Sequence, residues 1–254
     1  MSNYLELLRE FIKTDFKLRY KNSYLGIIWI VLKPLAMFSV IYVVWSNIIK
    51  IDADYKMMLL LGIMVMTFFN EGVMMGLGSL MSKAGIILKI KFPREIVVFS
   101  AVTISLLDFI FNMVVFAIFS IFTPVTVTPI SFVLFLMAIF SLYILIMGVS
   151  LFLSILYIKL RDIHNLMQVV LQLFFWLTPV YYQLEMLPEN LQRIVMLNPL
   201  TTILTLARKG LITGDQVVRA DFIDMTMIFL VCLSILIVAI VFFRKRVIKI
   251  AEYF

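Results

Sequence analysis

Cysteine and histidine are all but missing from this 254-residue chain, which has one of each, Cys232 and His164. A single cysteine closes no internal disulfide, and one histidine builds no His/Cys cluster for a metal. Charge is scarce too: Asp, Glu, Lys and Arg make up 15% of residues, where a soluble domain carries about 25%. No GxxxxGK[ST] stretch occurs, so the chain has no phosphate loop of its own for a nucleotide. The first twenty residues alternate charged and apolar side chains, unlike the unbroken apolar core of a secretory signal. What abounds is apolar: 63% hydrophobic residues with 23 Phe and 17 Met, and a mean hydropathy of +1.09. That composition excludes both an ordinary globular domain and a disordered chain. It is the composition of an integral membrane protein.

About 20 mostly apolar residues are needed to cross a bilayer. Six runs meet or approach this: 25–49, 57–81, 96–122, 131–158, 166–182 and 222–243. The fifth is the shortest and contains Gln168, Gln172 and Pro179; the second is interrupted by Asn70, Glu71 and several glycines. No internal repeat, low-complexity tract or second domain is visible, so residues 1–254 read as one all-α membrane domain.

The net charge of +7 suggests nucleic acid until the positions are examined. Lys and Arg gather at the ends of the apolar runs, where they set topology. On one side lie Arg9, Lys13, Lys17, Arg19, Lys21, Lys83, Lys89, Lys91, Arg94, Lys159, Arg161, Arg244, Lys245, Arg246 and Lys249. The other side has only Lys50, Lys56, Arg193, Arg208, Lys209 and Arg219. The positive-inside rule therefore places both termini in the cytoplasm.

Two segments outside the spans stand out. Residues 4–20 carry Tyr4, Leu5, Leu8, Phe11, Ile12 and Phe16 at helical spacing, with Arg9, Lys13 and Lys17 on the other face. This pattern predicts an amphipathic helix lying in the headgroup layer, either as an anchor or as a partner-docking element. Residues 184–214 combine Pro188, Pro199, Gly210 and Gly214 with apolar stretches too short to span. They predict short or re-entrant helices on the outer side, the alternative being an interfacial loop on lipid.

Chemistry-bearing residues are few. Ionisable groups inside spans are functional suspects because their burial is costly, and three qualify: Lys33, Glu71 and Asp108. Lys33 is near enough to the cytoplasmic end to snorkel. Glu71 and Asp108 lie mid-span and are expected to face a hydrated interior or to bond between helices. Gly72 and Gly76 fit a close approach of two helices. No nucleophile has an adjacent base, and the loop carboxylates Asp52 and Asp54 sit beside Lys50 and Lys56 as a solvated turn would. No catalytic residue and no metal ligand set is expected. Tyr42, Trp45, Tyr181 and Tyr182 lie towards the outer ends of their spans. They read either as an interfacial belt or as a sugar path, in which ring faces stack weakly on pyranose C–H faces.

Several motifs resemble one family. They are Thr14-Asp15-Phe16-Lys17-Leu18-Arg19-Tyr20, then Ser23-Tyr24-Leu25-Gly26, Trp29 and Lys33-Pro34-Leu35; Lys91-Phe92-Pro93-Arg94-Glu95; and Leu160-Arg161-Asp162-Ile163. Two more are Phe174-Phe175-Trp176-Leu177-Thr178-Pro179-Val180-Tyr181-Tyr182 and Leu197-Asn198-Pro199-Leu200. In order and spacing these resemble the ABC-2 type permeases of the polysaccharide, O-antigen and teichoic acid exporter family. The resemblance implies a homodimer in the bacterial cytoplasmic membrane, served by two copies of a separate ATPase subunit. ATP and magnesium would be bound by that subunit, and this chain would bind no cofactor.

The resemblance also implies an interface helix at 4–20, a coupling helix within 83–95, and outer gate helices between spans five and six. ATPase docking would then fall to Arg9, Lys13, Lys17, Lys83, Lys89, Lys91 and Arg94. The path for a lipid-linked glycan would be lined by Tyr42, Trp45, Phe174, Phe175, Trp176, Tyr181 and Tyr182. Two alternatives stay open: an ABC-2 exporter of a drug or small lipid, and a membrane-bound glycan transferase.

Overall fold

A computed structural model describes residues 2–20, 26–48, 54–123 and 125–247, with side chains from Tyr4 onward other than that of Ile48. The described residues are helical apart from turns, short extended connections and one isolated bridge between Thr126 and Thr213. In chain order the helices are α1 Ser2–Tyr20, α2 Ile28–Ile48, α3 Tyr55–Ser82, α4 Ala84–Ile87, α5 Glu95–Ser120, α6 Pro129–Lys159, α7 Ile163–Leu177, α8 Glu189–Met196, α9 Pro199–Leu211 and α10 Arg219–Val247. Five of them, α2, α3, α5, α6 and α10, are long and apolar enough to cross a membrane. The outermost residues of the first expected span, 25 and 49, and the loop residues Lys50 and Asp52 fall outside the described residues.

The core is built on α3 and α6, which α5, α9 and α10 flank. Gly72 and Gly76 of α3 make this packing close. A Cβ on Gly72 would lie 2.8 Å from Ile146 and from Ser105, and one on Gly76 would overlap the Ser150 side chain. Small residues let helix backbones approach in this way. Helix starts follow local chemistry. Thr128 and Ser131 form a reciprocal capping box at α6, with Pro129 in the first turn, and Asn198 caps α9 ahead of Pro199. Each satisfies donors that a helix N-terminus leaves open.

The fifth expected span, 166–182, is only partly helical: α7 has 15 residues, about 22 Å, and stops at Leu177. Thr178 is extended, with ψ 139°, because a residue preceding proline is driven out of the helical region. The chain then proceeds through short helices, including 3-10 turns at Leu184–Met186 and Gly214–Gln216.

Two further segments take a definite form. The 83–95 connection is helical only at Ala84–Ile87; beyond it the chain turns, and Pro93 precedes the start of α5. And α1 packs along α5. Its Phe11 ring meets Phe92, 5.6 Å between centroids, and its Phe16 ring meets Phe111 at 6.4 Å. Thus α1 climbs alongside α5, and its last turn reaches the middle of that helix.

Candidate functional site

Glu71 and Asp108 are brought together by the C-terminal turn of α1. The Arg19 guanidinium lies 2.8 Å from the Asp108 carboxylate and 3.2 Å from that of Glu71. Tyr20 Oη donates to the other Asp108 oxygen at 2.8 Å, and Lys33 Nζ comes within 3.9 Å of Glu71. Of the two settings expected for these carboxylates, bonding between elements is the one observed. Lys33 also has Glu71 as a partner, whereas snorkelling alone needs none. Asp108 is 3% exposed, so an unpaired charge there would be costly, and the Arg19 fork and Tyr20 hydroxyl together meet that need. One turn on, Asn112 donates to the Asp108 carbonyl while its own side-chain oxygen finds no partner among the described residues. Sequence reasoning missed Arg19 and Tyr20 as members of this group. The available signal was a charge imbalance: two mid-span carboxylates faced one in-span lysine, so a second cation had to come from outside the spans.

The residues expected at an ATPase surface divide into two sets. Arg9, Lys13, Lys17, Lys89 and Lys91 are exposed. Lys83 instead turns inward, pairing with Asp15 of α1, 3.3 Å from Ser100 Oγ and 4.4 Å from the Phe11 ring centre. Burial pulls its ammonium below the usual lysine range, and the bond to Asp15 opposes that shift. Arg94 donates to the carbonyl of Val247 at the end of α10. Lys83 and Arg94 thus hold the chain's own elements together, tying α1 to the end of α3 and the α4–α5 connection to α10.

The expected path aromatics form one cluster and two outliers. Tyr181 is the hub, with ring centroids 5.4 Å from Trp45, 5.0 Å from Trp176, 5.1 Å from Tyr182 and 6.3 Å from Phe175. Phe175 is buried, whereas Trp176 is 55% exposed. Tyr42 instead stacks on Phe38 at 5.6 Å, with the Lys56 ammonium 5.4 Å from its ring centre. Phe174 sits edge-on to Phe69. The first and fifth expected spans are therefore joined by aromatic contact at the end of the bundle where α10 begins.

That end is braced by Arg208, which sequence reasoning had only counted as a loop charge. Its guanidinium donates to the carbonyls of Met58 (3.2 Å), Pro179 (2.7 Å) and Val180 (2.7 Å). Tyr55 Oη donates to the Tyr181 carbonyl at 2.7 Å, and Asn198 bonds the Thr178 hydroxyl. The Pro179, Val180 and Tyr181 carbonyls belong to the non-helical segment that follows α7, and non-helical backbone inside a bundle is stable only if such groups find partners. Burial draws the Arg208 pKa down to about 10, with Tyr55 and Glu185 opposing, so the guanidinium keeps its charge at neutral pH.

The sequence was compared with known proteins. The family model described as ABC-2 type transporter matches residues 6–212. A Klebsiella pneumoniae protein named O-antigen export system permease protein RfbA is 29% identical over 201 residues, 78% of this chain and 77% of its own. A second RfbA from Klebsiella pneumoniae is 26% identical over 249 residues, covering 97% and 94%. The RfbA of Myxococcus xanthus is 22% identical over 210 residues, covering 80% and 78%.

Proposed function

The chain belongs to the ABC-2 type transporter family, and on that premise we propose that it is the permease subunit of an ATP-driven exporter of lipid-linked cell-envelope polysaccharide. The observation that carries this reading is the near full-length likeness to a permease named for O-antigen export. Two copies of this chain form the transmembrane part, and two copies of a separate ATPase drive it from the cytoplasmic face. The apolar faces left bare on α2, α7 and α10 suit contact with lipid and with a second copy. Short as it is, α7 acts as a sixth crossing, completed by the extended Thr178–Pro179 segment and the short helices beyond it. The bracing of that segment by Arg208 and Tyr55 supports this arrangement. With both termini cytoplasmic, the aromatic hub at Tyr181 lies on the outer side, where its rings stack on passing sugars. The carboxylate pair held by Arg19 keeps α1 against the bundle, so ATPase movements felt by α1 reach α3 and α5.

Deleting this chain in its host tests the reading. Surface glycan should disappear and lipid-linked glycan should accumulate inside the cell. Export should return with the wild-type chain only when the ATPase partner is catalytically intact. Normal surface glycan in the deletion strain, or rescue without ATP hydrolysis, would overturn it.

A further inference from the structure

A cavity of about 410 Å3 opens between α9, α10 and the turn at Leu184–Met186, at the end of the bundle where α10 begins. Its α10 wall is a single stripe of Asp221, Asp224, Met227, Ile228 and Val231, at the spacing that shares one helix face. Ten residues at 1.5 Å each make the stripe about 15 Å long, with carboxylates at one end and apolar side chains along the rest. The α9 wall adds Thr201, Thr202, Thr205 and Lys209. Thr201 is 1% exposed, and its hydroxyl has no hydrogen-bond partner among the described residues. Buried hydroxyls nearly always have a partner in protein, water or ligand, so this one has a hydrogen bond to give to a polar atom bound beside it. Lys209 already pairs with Asp221 at 2.7 Å, and Asp221 also accepts from the Val218 amide. Asp224 is exposed, and no partner is found for it among the described residues.

We propose that this cavity binds a membrane phospholipid whose headgroup carries both a phosphate and a primary ammonium. The charge pattern selects that class. One ammonium and two carboxylates leave the walls at −1, which disfavours a purely anionic headgroup and leaves the Asp224 carboxylate open to a cation. The phosphate oxygens accept from Thr201 and Lys209, and the headgroup ammonium donates to Asp224. An acyl chain then follows Met227, Ile228 and Val231 away from the headgroup end. None of the expected path aromatics lines this cavity, so the site is separate from the aromatic cluster.

Native mass spectrometry of the purified chain, titrated separately with phosphatidylethanolamine, phosphatidylcholine and phosphatidylglycerol, tests the assignment. The wild type should bind the ethanolamine lipid about tenfold more tightly than either other lipid, as one charge-assisted hydrogen bond allows. Asp224→Asn changes an exposed, unpartnered carboxylate and should erase the preference over phosphatidylcholine. Thr201→Val should weaken ethanolamine-lipid binding several-fold without lowering the melting temperature of the lipid-free protein, because the hydroxyl it removes has no partner among the described residues. Met227→Trp should weaken all three lipids by filling the acyl wall. Equal binding of the three lipids, a preference for phosphatidylglycerol, a preference over phosphatidylcholine that survives Asp224→Asn, or unchanged affinity in Thr201→Val would overturn the proposal.

Discussion

Asp108 shows what a single side chain demands of the rest of the fold. Its carboxylate is almost wholly buried, and Arg19 and Tyr20 bring it a cation and a hydroxyl from 89 and 88 residues away in the sequence. Removing one partner of a buried ion pair costs about 3–5 kcal/mol. Here the Arg19 side chain keeps 33% of its exposure, so solvent screening lowers the expected cost to about 2 kcal/mol. Arg19→Met should therefore lower the unfolding free energy by about that amount in detergent, and Asp108→Asn should lower it by less. Combining the two should cost less than the sum, since the second change removes the charge the first left stranded. Strict additivity in that cycle would show that the pair contributes nothing to stability. The sequence made Glu71 and Asp108 conspicuous because mid-span carboxylates are rare, but it could not name their partner. Arg19 sits in a run of basic residues that reads as a solvated face, and nothing in a linear pattern marks one of five cations as turned inward.

At the scale of the helix, boundaries were legible wherever composition changes sharply. The expected 57–81, 96–122, 131–158 and 222–243 runs correspond to α3, α5, α6 and α10, displaced by a few residues at either end. The fifth run misled because hydropathy continues through Val180, Tyr181 and Tyr182 after Pro179 has already ended the helix. The placement of α1 was illegible for a different reason. Helical periodicity reveals which face is apolar, and that face is the same whether lipid or α5 covers it. A cysteine pair can separate the two placements. With Cys232 replaced, cysteines at Phe16 and Phe111 should crosslink under mild oxidation or with a short bifunctional reagent, as the 6.4 Å ring separation implies. A pair at Phe16 and Phe140 serves as the control. No crosslink at 16–111 would return α1 to the headgroup layer.

In the whole molecule, both ends are now defined by contacts. At one end, Arg244 reaches Glu95 at 3.4 Å and Arg94 reaches Val247. This gathers the 83–95 connection and the close of α10 beside the start of α1. Lys89 and Lys91 project from that end with Leu88 and Ile90, which are 53% and 61% exposed. An exposed apolar pair flanked by lysines suits a partner groove with acidic edges. Reversing both lysines to Glu should reduce ATP-driven export at least tenfold while leaving membrane insertion intact. The same reversal at Lys83 would instead disturb folding, because it opposes Asp15. Unchanged export in the Lys89/Lys91 double variant would remove these lysines from the docking surface.

The opposite end poses the question of whether its rings form a path or only a belt. A belt residue needs lipid headgroups on one side and has no reason to bridge two spans. Trp45 and Tyr181 do bridge them at 5.4 Å, while Tyr42 stands apart against Phe38. Ring pairs of this kind contribute about 0.5–1.5 kcal/mol beyond area burial. Stacking of bases on aromatics is worth about 1–3 kcal/mol per contact, and sugars should gain no more. Losing one contact among several should therefore slow export a few-fold without stopping it. Trp45→Ala and Tyr181→Ala should be non-additive, because each removes the other's neighbour, whereas Tyr42→Ala should add independently to either. Tyr181→Phe preserves the stacking face and should export normally if stacking is what matters. All variants are to be normalised to membrane level and to ATPase assembly, since Tyr181 is also a packing hub and its truncation can loosen the α7 terminus. A Tyr42/Trp45/Tyr181 triple alanine variant that assembles with the ATPase and still exports at the wild-type rate would make these rings a belt, and the path would have to be sought elsewhere in the bundle.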